Sequence, residues 1–512
     1  MANTLNLGNG NWGVKDSSLL GYKNRQNGRF LPETFDVARG SAGTRVNQSG
    51  LIESVTEILS ADLVINGDFT TDTDWTLSSG ITYNASKYLD FNLSSGQAKN
   101  TPNITFVQGK TYKVVYEIKN YVSGTIKFRF QNGTNTIGSA QSGDGVKTEF
   151  IICLDNSNNN FQFFGSSSFV GSIDNVSVVE VNRDNLARID YLDDAAGVLL
   201  TEPQSTNLFL NSEPTSIESA SSNITYESFD WGIGFSNCII YGVSSYHYGG
   251  QCAASTEYTV SAFVRMDDLS EPMIGEGASN DLRLVIGGST ASTNITKTQF
   301  SNNIWRISAT KTSGTSSLFF NGVRSLNGSG KGFKVTGLQL EELSYSTSYI
   351  PTEGVAATRL ADVVNNAGDV NNFNSEEGVL FIETILQGDG ARRITLSDGT
   401  SSNRVLLNWS SDTALGIIVS VSGSTVATLN YNSTFLNVNR KYAVKYKEND
   451  FALWVDGVEV ATDNSGVTAP NGTLSNLSFN STNSNHFEGS TKSLQVFDEA
   501  LTDIELQTLT TI

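Results

Sequence analysis

Histidine, cysteine and proline are scarce in this chain of 512 residues, which contains two, three and seven of them respectively. The two histidines, His247 and His486, are far apart in sequence, whereas a catalytic triad needs a histidine beside a nucleophile and an orienting acid. The sequence also lacks G-x-S-x-G, HExxH, CxxC and P-loop motifs. The sequence therefore predicts no catalytic residues, and we expect that the protein is not an enzyme.

The three cysteines are too few for the disulfide framework that staples small secreted domains. Cys153 lies in an apolar run that begins at Phe150, so we expect a buried thiol there. Cys238 and Cys252 flank a Gly-Gly turn and are able to face each other across a hairpin. Assembly in the cytosol favours the reduced state, and the sequence leaves the pairing of these two residues open.

Charged residues make up 17% of the chain, and the formal net charge is −19. A field of this sign repels phosphates, which argues against nucleic-acid binding and against an anionic membrane surface. No apolar run approaches the roughly 18 residues that a membrane-spanning helix needs. The polar start lacks the basic and apolar regions of a signal peptide, so we expect a protein made in the cytosol and released by another route, such as cell lysis.

Glycine is frequent, with 47 residues, and Asn, Ser and Thr are abundant. Gly and Asn tolerate the positive φ of tight turns, and between such turns apolar and polar residues alternate. Tyr112, Val114, Tyr116 and Ile118 occupy one face of one alternating segment. The pattern predicts an all-β protein of tandem β-sandwich or jelly-roll domains, with an irregular N-terminal leader and a short C-terminal helix.

The predicted organisation has six regions. They are an N-terminal docking leader (1–60), an inserted jelly roll (61–183), a linker (184–206), a second jelly roll (207–350), a linker (351–372) and a C-terminal sandwich (373–512). The helix is predicted within 498–509, with Leu501, Ile504 and Leu509 on one face and a capping box of Thr502 and Glu505 at its start.

Two of these regions resemble carbohydrate-binding folds. Residues 66–69, Trp75 and the strand 172–178 resemble the opening and closing strands of carbohydrate-binding-module-like jelly rolls. The C-terminal region has a hairpin at 453–460 with Asp456-Gly457 at its turn, followed by 494–497 and 500–506. In this order it resembles the laminin-G or concanavalin-like lectin sandwich. Both resemblances imply lectin-like domains.

Four further segments, residues 35–53, 188–208, 346–354 and 358–362, resemble phrases that recur in virion proteins of tailed bacteriophages. In those proteins the first two phrases often lie close together, whereas here the jelly roll at 63–181 separates them. That jelly roll therefore looks like an inserted domain, and an insertion at an exposed loop costs little chain entropy. The resemblance implies a structural protein of the tail-fibre, spike or decoration type, located in the virion.

Few residues are candidates for catalysis. Carboxylates for glycoside hydrolysis would come from Glu117, Glu180, Glu227 or Asp230, but none stands in a distinctive motif, and exposed acidic residues on strands are the favoured interpretation.

No cofactor is predicted: ordinary turn chemistry is the favoured interpretation of Asp68 and Asp174, and a structural Ca²⁺ near them is the alternative. The aromatic residues that could serve as sugar platforms are Trp75, Tyr83, Tyr88, Trp231 and Trp454. Sandwich cores consume aromatic residues too, so the ligand-binding residues stay unknown at this level.

Together these observations predict a non-catalytic virion structural protein, associated with the tail, that displays lectin-like domains for attachment to host surface glycans. We expect it to dock on other virion proteins (capsid, tail or baseplate) through the leader, and to form a symmetric homo-oligomer because multivalency raises affinity. Two alternatives remain: a capsid decoration or head-fibre protein, and a glycan-degrading tail enzyme.

Overall fold

The computed structural model describes residues 4–10, 12–15, 18–25, 29–92, 96–215, 221–277, 279–315, 321–326, 330–388, 390–482 and 484–512. Over these residues the chain is almost entirely β-structure with one short helix near the C terminus, which confirms the predicted fold class of tandem β-sandwich domains. The chain divides into two compact units. The inserted unit is Thr56–Arg183, and the split unit combines residues 1–55 with residues 184–512.

The N-terminal segment is less irregular than expected, because most of it is paired. Its strands are β1 (Leu5–Gly8), β2 (Gly13–Lys15), β3 (Ser18–Arg25), β4 (Arg29–Ala38), β5 (Thr44–Val46) and β6 (Ile52–Ser54). Strand β1 pairs with β3 on one side and with a strand near the C terminus on the other, in the register Leu5 to Val496. A partner so distant in sequence leaves no trace in the local pattern, which explains the difference.

The inserted unit is built on one antiparallel sheet of nine strands. They are β7 (Glu57–Ile58), β8 (Trp75–Leu77), β9 (Ile81–Tyr83), β10 (Leu89–Asn92), β11 (Gln97–Asn100), β12 (Thr111–Gln131), β13 (Thr136–Ile137), β14 (Gly145–Ile152) and β15 (Asn160–Asn182). The predicted inward face is confirmed, because Tyr112, Val114, Tyr116 and Ile118 are all buried in the core. Strand β7 pairs with the end of β15, so the chain enters and leaves this unit side by side.

The middle part of the split unit carries β16 (Arg188–Asp190), β17 (Val198–Thr201), β18 (Ser205–Asn207), β19 (Ser221–Ser228), β20 (Asn237–Gly249), β21 (Glu257–Met266), β22 (Leu282–Ile286), β23 (Ser289–Thr290), β24 (Thr293–Phe300), β25 (Ile304–Thr312), β26 (Asn321–Ser325), β27 (Phe333–Glu341), β28 (Ala357–Arg359) and β29 (Val363–Asn365). Strands β19–β27 form a nine-stranded sheet in the order β23-β22-β26-β20-β27-β21-β25-β24, with β19 beside β20. Its strands enclose a core that includes Tyr241 and Phe333, whose rings stack at 4.9 Å.

The C-terminal part carries β30 (Glu377–Leu386), β31 (Arg392–Ser397), β32 (Arg404–Ser411), β33 (Ala414–Val421), β34 (Ser424–Asn432), β35 (Asn439–Lys447), β36 (Phe451–Val455), β37 (Val458–Asp463), β38 (Asn476–Ser478), β39 (Gly489–Phe497) and the helix α1 (Asp503–Thr510). A five-stranded sheet, β34-β33-β32-β31-β38, packs on a twelve-stranded sheet that includes β30, β35, β36 and β39 as well as β1–β4. Trp409 and Tyr442 meet in the core between them, with ring centroids 5.3 Å apart.

The helix begins as predicted but presents a different face. Thr502 and Glu505 form the expected capping box. Ile504, which was expected on the buried face, is 77% exposed, whereas Leu501 and Leu506 pack with Trp454. The prediction for Ile504 is wrong because α1 starts at Asp503, so Leu501 precedes the helix and does not set its periodicity. No helix in the described ranges is long and apolar enough to cross a membrane.

Candidate functional site

Five charged side chains meet in a buried network in the split unit. Arg39 Nη1 lies 2.7 Å from Asp362 Oδ1, and Arg188 Nη1 lies 2.7 Å from Glu202 Oε2. Arg359 Nη1 is 2.9 Å from the same Glu202 oxygen, and Arg188 also pairs with Asp362. All five side chains are almost completely buried. We call these residues the arginine network.

The arginine network joins the four segments 35–53, 188–208, 346–354 and 358–362. Arg39 comes from 35–53, Arg188 and Glu202 come from 188–208, and Arg359 and Asp362 come from 358–362. The remaining segment, 346–354, supplies Ser348, whose hydroxyl donates to Glu202 Oε2 at 2.7 Å. Segments separated by more than 300 residues in sequence therefore form one structural element of the fold.

The network keeps its carboxylates ionised. Burial disfavours the charged form of Glu202, but the guanidinium groups of Arg359 and Arg188 outweigh burial and lower its pKa to about 2. Burial likewise opposes ionisation of Asp362, and Arg188, Arg39 and Arg359 lower its pKa. Such groups are committed to their ion pairs and are not free to exchange protons near neutral pH.

A cavity of about 530 Å³ opens beside the arginine network. This volume lies in the range of sites that hold small molecules. Its walls combine hydroxyl and amide side chains with aromatic rings, among them Thr296, Ser308, Asn437, Phe263, Phe300 and Tyr349. Segments 35–53, 188–208 and 346–354 contribute to the lining, as do the middle and C-terminal sheets.

Two polar groups of the cavity wall have no hydrogen-bond partner within the described part of the chain: the hydroxyl of Tyr345 and Nε of Arg306. The Arg306 guanidinium lies over the Phe263 ring, 5.5 Å from its centroid, and Nη2 donates to the carbonyl of Thr347. Burial lowers the pKa of Arg306. Buried polar groups normally have partners, so these two buried atoms are exceptions within residues of the cavity wall.

In contrast to these two polar atoms, the Asp190 and Glu202 carboxylates of the cavity wall have partners within the protein. Asp190 accepts from the backbone N–H groups of Val46 at 2.7 Å and Leu192 at 3.0 Å, and burial raises its pKa. Glu202 belongs to the arginine network, and Asp193 is exposed. Asp190 and Glu202 are thus both held by the protein itself, an arrangement that suits binding better than proton transfer.

The predicted aromatic platforms are mostly core residues. Trp75, Trp231 and Trp454 are at most 7% exposed. The indole N–H of Trp75 donates to the carbonyl of Asn66, and that of Trp231 donates to the carbonyl of Asn237. Tyr83 and Tyr88 are half-buried in the inserted unit, and the Tyr83 hydroxyl donates to the Thr73 carbonyl. None of these five residues lines the cavity.

The predicted carboxylates are dispersed. Glu117 pairs with Lys119, and Glu180 pairs with Lys110. Glu227 and Asp230 are exposed in the split unit, where Asp230 accepts from the backbone N–H of Gly232.

The Ca²⁺ candidates are engaged within the protein. Asp68 Oδ1 accepts from the backbone N–H and hydroxyl of Thr70, and Asp174 Oδ2 lies 2.8 Å from Lys119 Nζ. Over the described ranges no three or more His, Cys, Asp or Glu side chains group to hold a metal ion.

The two histidines are not brought together with a nucleophile and an acid. His247 is 1% exposed, its Nδ1 lies 3.4 Å from the Tyr226 hydroxyl, and burial lowers its pKa to about 4. His486 is half-buried, and burial lowers its pKa too.

The three cysteines are buried, as expected for Cys153. Cys238 packs in a cluster with Trp231, and Cys252 packs in a different cluster with Tyr258.

Sequence reasoning does not single out Arg306, Tyr345 or Glu213. Tyr345 directly precedes the segment 346–354, which is a weak positional signal, whereas Arg306 lies in β25 without any local motif. Glu213 accepts from the Tyr349 hydroxyl at 3.4 Å, and burial raises its pKa to about 7. It does not line the cavity itself.

No protein-family model matches this chain, and no curated protein sequence matches it. Among solved structures, the CBM40 of Ruminococcus gnavus IT-sialidase bound to alpha2,3 sialyllactose is 21% identical over 27% of this chain and 83% of its own, with a TM-score of 0.24. Domain 4 of AbnA, a GH43 extracellular arabinanase from Geobacillus stearothermophilus in complex with arabinotriose, is 11% identical over 33% of this chain and 82% of its own, with a TM-score of 0.22. Trypanosoma rangeli sialidase in complex with sialic acid is 10% identical over 98% of this chain and 97% of its own, with a TM-score of 0.23. Scores this low carry no argument about the function of this chain.

Proposed function

We propose that this chain is a non-catalytic virion structural protein of tailed bacteriophages that attaches to host surface glycans, and that the cavity beside the arginine network is a glycan site. The observation that carries the proposal is the make-up of the cavity wall. Hydroxyl and amide side chains line the same wall as aromatic rings, and Tyr345 and Arg306 contribute buried polar atoms that have no partner among the described residues. Sugars need this combination of apolar faces and hydrogen-bonding groups.

The virion part of the proposal rests on the four phage-like segments. These segments supply the arginine network and much of the cavity lining. They therefore form one structural module and are not four unrelated linkers. A tail position, docking on other virion proteins and a symmetric homo-oligomer belong to the same proposal. Labelling the protein on particles and imaging heads against tails separates it from the alternative of a capsid decoration or head fibre.

The experiment that tests the cavity is the binding of the full chain to purified host surface polysaccharide by calorimetry. Tyr345→Phe removes one oxygen that has no partner in the described protein, so folding should be unaffected. A lost ligand hydrogen bond should weaken binding about three- to tenfold. Thr298→Trp fills the cavity and should abolish binding at this site.

Tyr446→Phe is the matched control, because its buried hydroxyl donates to the Asn374 carbonyl away from the cavity. It should lower stability without changing affinity. Unchanged affinity in both cavity variants would overturn the glycan assignment. New reducing ends after incubation with the polysaccharide would instead establish the glycan-degrading alternative.

A further inference from the structure

The outer face of the sheet in the inserted unit carries a row of cations. In the register of β12, β15 and β11, Arg129 lies opposite Gln162, and Gln162 lies opposite Lys99. One step along, Lys127 lies opposite Phe164. Directly opposed residues of antiparallel strands share a face, so these five side chains stand together. We call them the cationic face.

The intervening residues confirm which side of the sheet this is. Phe128, Phe130, Phe161 and Phe163 alternate with the cationic face along β12 and β15, and all four are completely buried in the core. The cations therefore project from the side of the sheet opposite that core. Adjacent strands are about 4.8 Å apart, so Arg129 and Lys99 are separated by roughly 10 Å across β15.

The cations of this face are unneutralised. Among the residues described by the structure, Lys99, Lys127 and Arg129 form no ion pair. The chain as a whole has 52 acidic against 33 basic residues, so a group of three cations without a carboxylate partner is a local reversal of charge. A concentrated charge of one sign attracts ligands of the opposite sign.

Arg129 is also held in place. Its Cζ lies 4.9 Å from the centroid of the Phe164 ring. When the Gln162 amide is oriented so that both of its atoms are satisfied, its oxygen accepts from Arg129 Nε at 2.8 Å and its nitrogen donates to Gln97 Oε1 at 2.7 Å. A guanidinium fixed in this way loses less freedom when it binds a carboxylate.

From this arrangement we infer that the cationic face is a second binding site, for saccharides that bear carboxylates. Arg129 matches a carboxylate in a two-pronged geometry, Lys99 and Lys127 supply further charge, and Phe164 provides an apolar surface beside them. The inference rests on the proposed attachment to glycans, and it adds a ligand class and a site that is separate from the cavity. A sheet face with several long polar side chains in a row suits an extended polymer, which touches several of them at once.

The experiment measures binding of the full chain to polygalacturonate, with dextran as a neutral polymer of similar length. Arg129→Gln should weaken polygalacturonate binding at least about tenfold, because a charge-assisted pair is lost. The double variant Lys99→Gln with Lys127→Gln should weaken binding further and reduce its salt dependence between about 0.05 M and 0.5 M ionic strength. Dextran should bind this face no better in the wild type than in the variants.

Lys110→Gln is the matched control, since it removes one cation from the same unit but from an exposed pair with Glu180. It should leave affinity within about twofold, as expected of a screened surface charge. Thermal unfolding of each variant checks that the inserted unit is folded, and Phe164→Leu offers a milder change if Arg129→Gln unfolds.

Failure of this inference and failure of the cavity proposal are distinguishable. Thr298→Trp should keep polygalacturonate binding, and Arg129→Gln should keep binding to a neutral host polysaccharide. Polygalacturonate binding that is equal in wild type, Arg129→Gln and Lys110→Gln would overturn the cationic face as a site. A change of oligomeric state in Arg129→Gln, without any polygalacturonate binding by the wild type, would overturn it in favour of contact with a second copy of this chain.

Discussion

Arg188 lies between two acidic side chains, Glu202 and Asp362, and is fully buried. Arg188→Met removes the central cation and leaves both carboxylates short of a partner. Breaking a buried ion pair in this way typically costs about 3–5 kcal/mol. We expect a loss of this size in the free energy of unfolding of the split unit, measured by urea denaturation at neutral pH.

Arg45→Met is the control for that loss. Arg45 pairs with Glu53 at 3.1 Å, with both side chains partly exposed. A solvated pair contributes at most about 1 kcal/mol, so this variant should remain close to the wild type. Equal losses in the two variants would contradict the view that the arginine network is a framework of the fold.

The arginine network also makes the free energy of unfolding depend on pH in the acidic range. The folded pKa of Glu202 is about 2, below its ordinary value of 4.5, so the unfolded chain takes up its proton first as the pH falls. The stability that Glu202 contributes is therefore present above about pH 4.5 and is lost as the pH approaches 2.

His247 should make the folding stability depend on pH over a higher range than Glu202 does. Its folded pKa is about 4, below the ordinary value of 6.5, so the unfolded state again binds the proton first. Stability should fall as the pH drops from 6.5 to 4, by up to about 3 kcal/mol. His247→Phe should remove this slope in pH-dependent unfolding, whereas His486→Phe, at a half-buried position, should leave most of it. A slope that survives in His247→Phe would show that other groups cause it.

At the scale of elements, β1 joins the two ends of the chain. It lies between β3 and β39, and Leu5 and Leu7 are completely buried in the core of the C-terminal sandwich. Leu7→Ala should cost about 2–5 kcal/mol of stability, as core truncations of leucine do. Asn6→Ala, on the neighbouring half-buried position, should cost much less, and thermal unfolding distinguishes the two. Similar melting temperatures would mean that β1 does not contribute to the core.

The place of β1 changes how the docking role of the leader has to be tested. Deleting residues 1–50 would remove strands β1–β5 and damage the fold, so failed incorporation into particles would prove nothing about docking. An exposed position such as Thr34 allows a change that leaves pairing intact. Docking through this segment predicts that Thr34→Arg lowers incorporation while the purified chain keeps its melting temperature.

At the scale of the whole molecule, the inserted unit should be removable. Glu57 pairs with Asn182, so the chain enters and leaves this unit at adjacent positions. In the split unit, the backbone N–H of Val55 donates to the carbonyl of Gly43, and that of Asn185 donates to the carbonyl of Arg39. The residues on both sides of the insertion are therefore anchored to the same short segment of the split unit, 39–43. Replacing 56–183 by a short Gly-Ser linker should leave a folded protein, because a loop of this kind costs little entropy.

The shortened protein should keep binding in the cavity and lose binding to polygalacturonate. Circular dichroism and thermal unfolding provide the check on folding, and calorimetry provides the two affinities. Aggregation of the shortened chain, with the isolated 56–183 segment still folded, would show that the split unit depends on the insertion.

The sequence by itself determined the local features of this protein. Period-two alternation places Tyr112, Val114, Tyr116 and Ile118 in the core, because neighbouring residues of a strand point to opposite faces. Asp456 and Gly457 adopt the positive φ that a tight hairpin requires, and Thr502 caps α1 as its spacing from Glu505 predicts. These features depend on residues a few positions apart, which a sequence displays directly.

Only the tertiary structure decided the rest. Arg39 and Asp362 are 323 positions apart, and no local sequence pattern predicts their ion pair. Trp75, Trp231 and Trp454 fit a core as well as a sugar platform, and packing alone placed them in cores. The cavity wall and the cationic face arise where distant strands become neighbours, and strand pairing over long distances depends on the whole fold and not on adjacent residues.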